Sequence, residues 1–186
     1  MIVINDYRQW GTEPAVIAMG TFDGVHIGHQ TLIRKAAETA KERGYLSAVF
    51  TFDRNPMEVL KPGAGIKPII ILEKKIEKIA SLGVDRCIVQ PFTKEFSEMP
   101  ADLFICSLIA SAHARCIIVG YNFTFGRYGS GDPDTIVSAG NEYGCETIVI
   151  PPVLSEGSVV SSTAIRALLA NGEREKAEKM LGYTEL

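Results

Sequence analysis

Ten consecutive residues, Gly20-Thr21-Phe22-Asp23-Gly24-Val25-His26-Ile27-Gly28-His29, hold two of the chain's three histidines inside a glycine-rich turn. Glycine lets a backbone approach a ligand closely and adopt angles closed to other residues. The helix predicted to follow presents free N–H groups and the positive end of its dipole. Together these make an anion site suited to phosphate. His26 and His29 are three residues apart and share a face at the helix start. Two imidazoles there can donate hydrogen bonds to charge that develops during phosphoryl transfer. The residues alone leave two other readings open. One is a tight turn with two solvent-facing histidines. The other is a transition-metal site made of the pair and Asp23, although this setting suits an anion better. Neither G-x-x-x-x-G-K-[ST] nor G-x-G-x-x-G occurs, which excludes the Walker loop and the dinucleotide fingerprint.

Three further stretches could serve such a site. Thr51-Phe52-Asp53-Arg54-Asn55-Pro56 leaves a predicted strand, and Asn55 can hydrogen-bond a phosphate without carrying charge. In Gly120-Tyr121-Asn122-Phe123-Thr124-Phe125-Gly126, two aromatics flanked by glycines can line a flat apolar slot in which Asn122 donates and accepts. In Val160-Ser161-Ser162-Thr163-Ala164-Ile165-Arg166, hydroxyls at a helix start cap its N–H groups and can bond phosphate oxygens. Arg166 then offers a planar fork to a polyphosphate. Each stretch also has a plain structural reading: a strand exit, core aromatics, and a capped helix with a solvated arginine.

The elements that must position these residues follow from apolar patterning. Strands are expected at 15–19, 46–52, 86–90, 115–119 and 146–150, and helices at about 28–43, 73–82, 101–112, 134–143, 162–170 and 173–181. Glycines 44, 83 and 144 stand at expected helix ends, and Pro100 and Pro133 at expected starts. Strand and helix in alternation predict an α/β fold, a Rossmann-like doubly wound parallel sheet of about five strands. Ligands of such folds sit beyond the carboxyl ends of the strands, at the topological switch. The helix carrying Glu73-Lys74-Lys75-Ile76-Glu77-Lys78 is expected to present a solvated face, and His113 to be a loop histidine at a helix end.

Composition narrows the function classes. The 186 residues carry 19 Lys and Arg against 22 Asp and Glu, a formal charge of −3, which argues against an extended nucleic-acid surface. The first ten residues do not read as a signal peptide, and the apolar run 69–72 is far too short to span a bilayer. Cys87, Cys106, Cys116 and Cys145 form no C-x-x-C pair and read as small buried hydrophobes in a reducing compartment.

The glycine-rich turn resembles the H-x-G-H signature of the nucleotidylyltransferase superfamily. Written in full as Gly-x-Phe-Asp-Gly-x-His-x-Gly-His, it is similar to the FMN adenylyltransferase domain of bacterial bifunctional riboflavin kinase/FAD synthetases. The resemblance runs from about residue 14 to Tyr183. The family's Thr-Phe-Asp-Pro-His-Pro appears here with Arg54 and Asn55 in place of Pro and His. Its Gly-x-(Asp/Asn)-Phe-x-Phe-Gly matches residues 120–126, and its Ile-Ser-Ser-Thr-x-Ile-Arg matches 160–166. Residues 67–75 match only loosely, where a threonine-rich turn is commoner.

This resemblance implies an FAD synthetase, a cytoplasmic transferase that converts ATP and FMN to FAD and pyrophosphate. Mg²⁺ would be bound mainly through ATP, with no dedicated protein ligands. It implies catalytic roles for His26, His29 and Arg166, and nucleotide contacts from Gly20, Phe22, Asp23, Gly24, Gly28, Asn122, Ser161, Ser162 and Thr163. Flavin contacts fall to Asp53, Asn55, Phe123 and Phe125. The attacking phosphate monoester is already ionised near pH 7, so no general base is needed. Partners are expected to be ATP, FMN and FAD, with neither nucleic acid nor membrane. In the bifunctional proteins a riboflavin kinase domain follows the last helix. Here the sequence stops at Thr184-Glu185-Leu186, so one adenylyltransferase-like domain over 1–186 is expected, either a stand-alone enzyme, with a separate riboflavin kinase in the same pathway, or a fragment of a longer protein. Two rivals remain. One is another small-molecule nucleotidylyltransferase, and the other is a flavin-nucleotide binding or regulatory protein with decayed catalysis.

Overall fold

The computed structural model describes residues 1–184 except 64 and 66. Six strands, β1 (Ile2–Ile4), β2 (Ala15–Met19), β3 (Leu46–Phe52), β4 (Arg86–Gln90), β5 (Ala114–Gly120) and β6 (Glu146–Ile150), form one sheet in the order β1-β4-β3-β2-β5-β6. Every pairing is parallel. A parallel strand covered on both faces needs apolar residues at successive positions, and β2 is buried throughout. Its residues alternate between two cores. Ala15, Ile17 and Met19 pack in a cluster with Phe104, Leu108 and Ile136, while Val16 and Ala18 join Ile33, Ala36 and Ile79. Each buried Val, Leu, Ile, Met or Phe among them contributes roughly 1.5–3 kcal/mol.

The first core is closed by α5 (Ala101–Ser111) and α6 (Pro133–Tyr143) and the second by α1 (Ile27–Arg43) and α3 (Leu72–Ser81), so the sheet is covered on both faces. Left-handed Gly44 and Gly144 end α1 and α6, and Pro133 opens α6 beside an Asp132 capping box. A third cluster joins α7 (Ser162–Ala170) to α8 (Arg174–Leu181) through Ile165, Ala177 and Leu181, and Ile27 of α1 packs against it. Short helices α2 (Pro56–Leu60) and α4 (Lys94–Ser97), two 3-10 turns (Tyr7–Gln9 and Arg127–Gly129) and the hairpin of β7 (Leu154–Ser155) and β8 (Ser158–Val159) are the remaining elements.

The sheet has six strands where five were expected. The extra one, β1, is only three residues long and pairs Ile2 with Arg86 and Ile4 with Ile88. Too short to show a period, it is fixed by its neighbour. The second departure is Lys75. It occupies the inward stripe of α3, three residues after Leu72 and four before Ile79, and is buried rather than solvated. The exposed His113 sits in the turn after α5, as expected. All four cysteines are free, and burial pushes the thiols of Cys87 and Cys116 up to about 12 and about 11. Among the described residues no helix is long and apolar enough to cross a membrane.

From β2 the sheet grows through β3 to β4 in one direction, then through β5 and β6 in the other. The reversal leaves a crevice beyond the carboxyl ends of β2 and β5. The glycine-rich turn and the Asn122–Phe125 loop both open into it.

Candidate active site

The turn after β2 is held in an unusual backbone conformation. Phe22 and Val25 have φ of 51° and 38°, left-handed values that cost a non-glycine residue about 1–3 kcal/mol. Both side chains are buried in the second core, which offsets that cost. Gly28 gives α1 a bare first turn, since a Cβ there would stand 3.2 Å from the His26 ring.

His26 caps α1, its Nδ1 accepting a hydrogen bond from the His29 N–H at 3.2 Å. A neutral imidazole that accepts at Nδ1 carries its proton on Nε2. The two rings stack with centroids 3.4 Å apart, and Phe22 meets His29 edge-on at 5.2 Å. Burial pushes the His26 imidazole down to about 4. Burial, then His26 and Lys75, hold half-buried His29 well below the ordinary histidine range. Its Nδ1 is enclosed without a partner. At pH 7 both imidazoles are thus neutral, His26 with its proton on Nε2.

Behind the histidines lies a hub centred on buried Asp23. Its Oδ1 accepts from the Ile69 N–H at 2.8 Å, and its Oδ2 pairs with Arg166 and accepts from Asn55 Nδ2 at 3.5 Å. Its carbonyl accepts from Ser162 Oγ at 2.9 Å, and Arg166 Nε donates to the Lys67 carbonyl at 3.2 Å. Helix α8 is tied to the same turn. Gln30 Nε2 donates to the carbonyls of Val25 and Leu181 at 3.0 and 2.9 Å, and the Tyr183 hydroxyl donates to the Gly24 carbonyl at 2.6 Å.

Two cavities open in front. The smaller, about 330 Å³, has Gly20, His26, Gly28 and His29 on one side and Asn122, Ser161 and Ser162 on the other. The larger, about 700 Å³, is walled by aromatics including Phe52, Phe92, Phe96 and Phe125, with Asn55 and Met57 at its edge. These rings meet edge to face, Phe52 to Phe92 at 4.9 Å, while Phe123 and Phe125 stack at 5.6 Å. Met19, Gly20, Thr21, Phe123 and Thr124 line both cavities.

The structure therefore sorts the sequence-predicted residues. Gly20, His26, Gly28, His29, Asn122, Ser161 and Ser162 line the polar cavity, and Asn55, Phe123 and Phe125 the aromatic one. Phe22 belongs to the polar wall but is fully buried. Asp23, Gly24, Asp53, Thr163 and Arg166 line neither cavity. Asp53 is taken up by the Phe92 N–H at 2.9 Å and by Arg54 at 2.9 Å. Asn55 caps α2, accepting from the Met57 N–H at 3.0 Å. Thr21, Phe92, Phe96 and Lys75 escaped sequence reasoning. Only Lys75 carried a usable signal, its helical spacing from Leu72 and Ile79. Among the described residues no three His, Cys, Asp or Glu side chains cluster as a metal site.

The chain resembles proteins of known sequence and structure. Residues 8–164 match the family described as FAD synthetase. The chain is 35% identical over 177 residues to a bifunctional riboflavin kinase/FMN adenylyltransferase of Listeria monocytogenes, covering 94% of this chain and 56% of that protein. It is 34% identical over 181 residues to a putative bifunctional riboflavin kinase/FMN adenylyltransferase of Geobacillus thermodenitrificans, covering 97% of each. A crystal structure described as a macrolide-efflux protein from Streptococcus pneumoniae superposes with a TM-score of 0.86 at 30% identity, covering 98% of this chain and 61% of that one. The chain spans about half the length of the first curated relatives it matches.

Proposed function

The chain belongs to the FAD synthetase family, and from that premise we propose that it transfers the adenylyl group of ATP to FMN, giving FAD and pyrophosphate. The observation that carries the reading is the pair of cavities with contrasting chemistry that share the Gly20–Thr21 strip. The polar one offers helix N–H groups, two neutral imidazoles and serine hydroxyls to a triphosphate. The aromatic one offers a flat apolar enclosure to an isoalloxazine ring. A substrate in each brings the FMN phosphate and the α-phosphorus of ATP together over the shared strip.

The FMN phosphate oxygen attacks the α-phosphorus, a new P–O bond forms, and the bond to pyrophosphate breaks with its electron pair leaving on the bridging oxygen. The chain's task is positioning and charge stabilisation. The Nε2–H groups of His26 and His29 donate to oxygens that gain charge. Ser161 and Ser162 hold the nucleotide from α7, and Arg166 exchanges Asp23 for a triphosphate oxygen when ATP enters. Mg²⁺ carried on the triphosphate supplies charge neutralisation. The reading takes residues 1–186 as one adenylyltransferase-type unit working in the cytoplasm on FMN made by a riboflavin kinase.

The test is the purified chain with FMN and Mg-ATP, FAD being separated by chromatography. His26→Ala and His29→Ala should each lower turnover roughly 10²-fold, the usual loss for a donor to developing charge, with circular dichroism unchanged. Wild-type turnover in both variants would remove the histidines from the mechanism. Tight FMN binding without FAD would reassign the chain as a flavin-nucleotide binding protein.

A further inference from the structure

Lys75 is one of the few buried charged residues, and the adenylyl transfer outlined above makes no use of it. Its ammonium donates to the Phe52 carbonyl at 2.7 Å, Thr51 Oγ1 at 3.2 Å and the Thr21 carbonyl at 3.4 Å. Thr51 Oγ1 also donates to the Thr21 carbonyl, at 2.9 Å. All three partners of Lys75 are neutral, and among the described residues it joins no ion pair. A lysine removed from water with no carboxylate in hydrogen-bond contact is costly, and such a group beside a cleft marks a functional site. Buried Asp23 is taken up by Arg166, Asn55 and Ile69, and Asp53 by Arg54 and Phe92. What lies above Lys75 is Thr21, part of the strip shared by the two cavities.

We propose that Lys75 is a positioning residue whose buried positive charge, acting from beneath the Gly20–Thr21 strip, selects phosphate-bearing ligands over their phosphate-free counterparts in both cavities. The inference rests on the proposed function for the identity of those ligands, FMN in one cavity and ATP in the other. A charge one layer down attracts phosphate without occupying the space through which the reacting oxygens approach. The groups that face Lys75 are Asp23, Asp53, Cys87 and His29. Its proximity to His29 helps keep that ring neutral, which ties the same charge to the donor role of the histidine.

Riboflavin and FMN differ by the phosphate, so they separate a charge effect from a loss of shape. Isothermal titration of the whole chain with riboflavin, FMN and ATP is compared in wild type, Lys75→Met and Lys75→Arg. Lys75→Met should weaken FMN and ATP by about tenfold or more, as expected for a unit charge about 10 Å away at an effective dielectric near 20, while riboflavin affinity stays within about twofold. Lys75→Arg should restore part of the preference. If Lys75→Met fails to fold, Lys75→Gln keeps N–H donors for the carbonyls without the charge and is read the same way. Equal weakening of riboflavin and FMN would make Lys75 a strut between β2 and β3, and unchanged affinities would give it no role; either overturns the inference. If wild type binds ATP but neither binds FMN nor makes FAD, the proposed function fails while the ATP titrations still decide Lys75.

Discussion

Acidification should weaken this protein through the residue that caps its site helix. His26 has a folded-state pKa of about 4 against an ordinary 6.5, and burial is the main cause. Above pH 6.5 the ring is neutral in both folded and unfolded chains and costs nothing. Between 6.5 and 4 the unfolded chain takes up a proton that the folded one refuses, so stability falls as pH drops, and below 4 the loss levels off. The slope is about 1.4 kcal/mol per pH unit, and the loss from pH 7 to 4.5 is about 2–3 kcal/mol. His29, depressed for the same first reason, adds in the same direction. The assay is urea unfolding at pH 7, 6, 5 and 4.5 in wild type and His26→Asn, which keeps a side chain able to cap α1 but cannot titrate. Wild type should lose about 2–3 kcal/mol more than the variant over this range. Parallel stability curves for the two proteins would refute the reasoning, because the refused proton would then not belong to His26.

Other outcomes follow from the hub and the loops. Arg166→Lys keeps the charge but cannot bridge Asp23 and the Lys67 carbonyl with one planar fork, so the Michaelis constant for ATP should rise; unchanged kinetics would place Arg166 outside the site. Asp23→Asn keeps an acceptor for the Ile69 N–H but breaks the pair with Arg166, and chemical denaturation should show a loss of about 1–3 kcal/mol. At Gly126, φ is +72° and a Cβ would fall 2.6 Å from Ala101 Cα, so Gly126→Ala should cost about 2 kcal/mol or more and displace the loop carrying Phe125. A thermal midpoint equal to wild type would contradict that packing.

The sheet was legible because its inner strands bury both faces, which writes them as uninterrupted apolar runs such as Ala15–Met19. β1 was not, since three residues with open solvent on one edge carry no period. The histidine turn could be read because its residue types are scarce and its spacing helical. What the sequence did not disclose was division of labour within each motif. Asp23 and Arg166 look like ligands for a nucleotide yet engage each other, and Asp53 engages backbone and Arg54. Sequence spacing states which groups share a turn but not which are already satisfied by partners elsewhere in the chain, 39 residues away for Phe92 with Asp53 and 143 for Arg166 with Asp23. Lys75 was misread for a related reason. Its neighbours Glu73, Lys74, Glu77 and Lys78 make the helix look solvated, whereas the position of one charge relative to Leu72 and Ile79 decides its fate.

The ties from α7 and α8 to the glycine-rich turn set the order in which a working site can come into being. Residues 20–29 leave a ribosome well before residues 162–183, but the strained angles at Phe22 and Val25 are braced by Gln30 bonding Leu181, by Tyr183 bonding Gly24 and by Ser162 bonding Asp23. A nascent chain ending near residue 155 has the whole parallel sheet but lacks all three braces. The turn is therefore braced only once residues 162–183 have been made, and the turn, α7 and α8 should exchange their amide hydrogens as one cooperative unit although more than a hundred residues separate them.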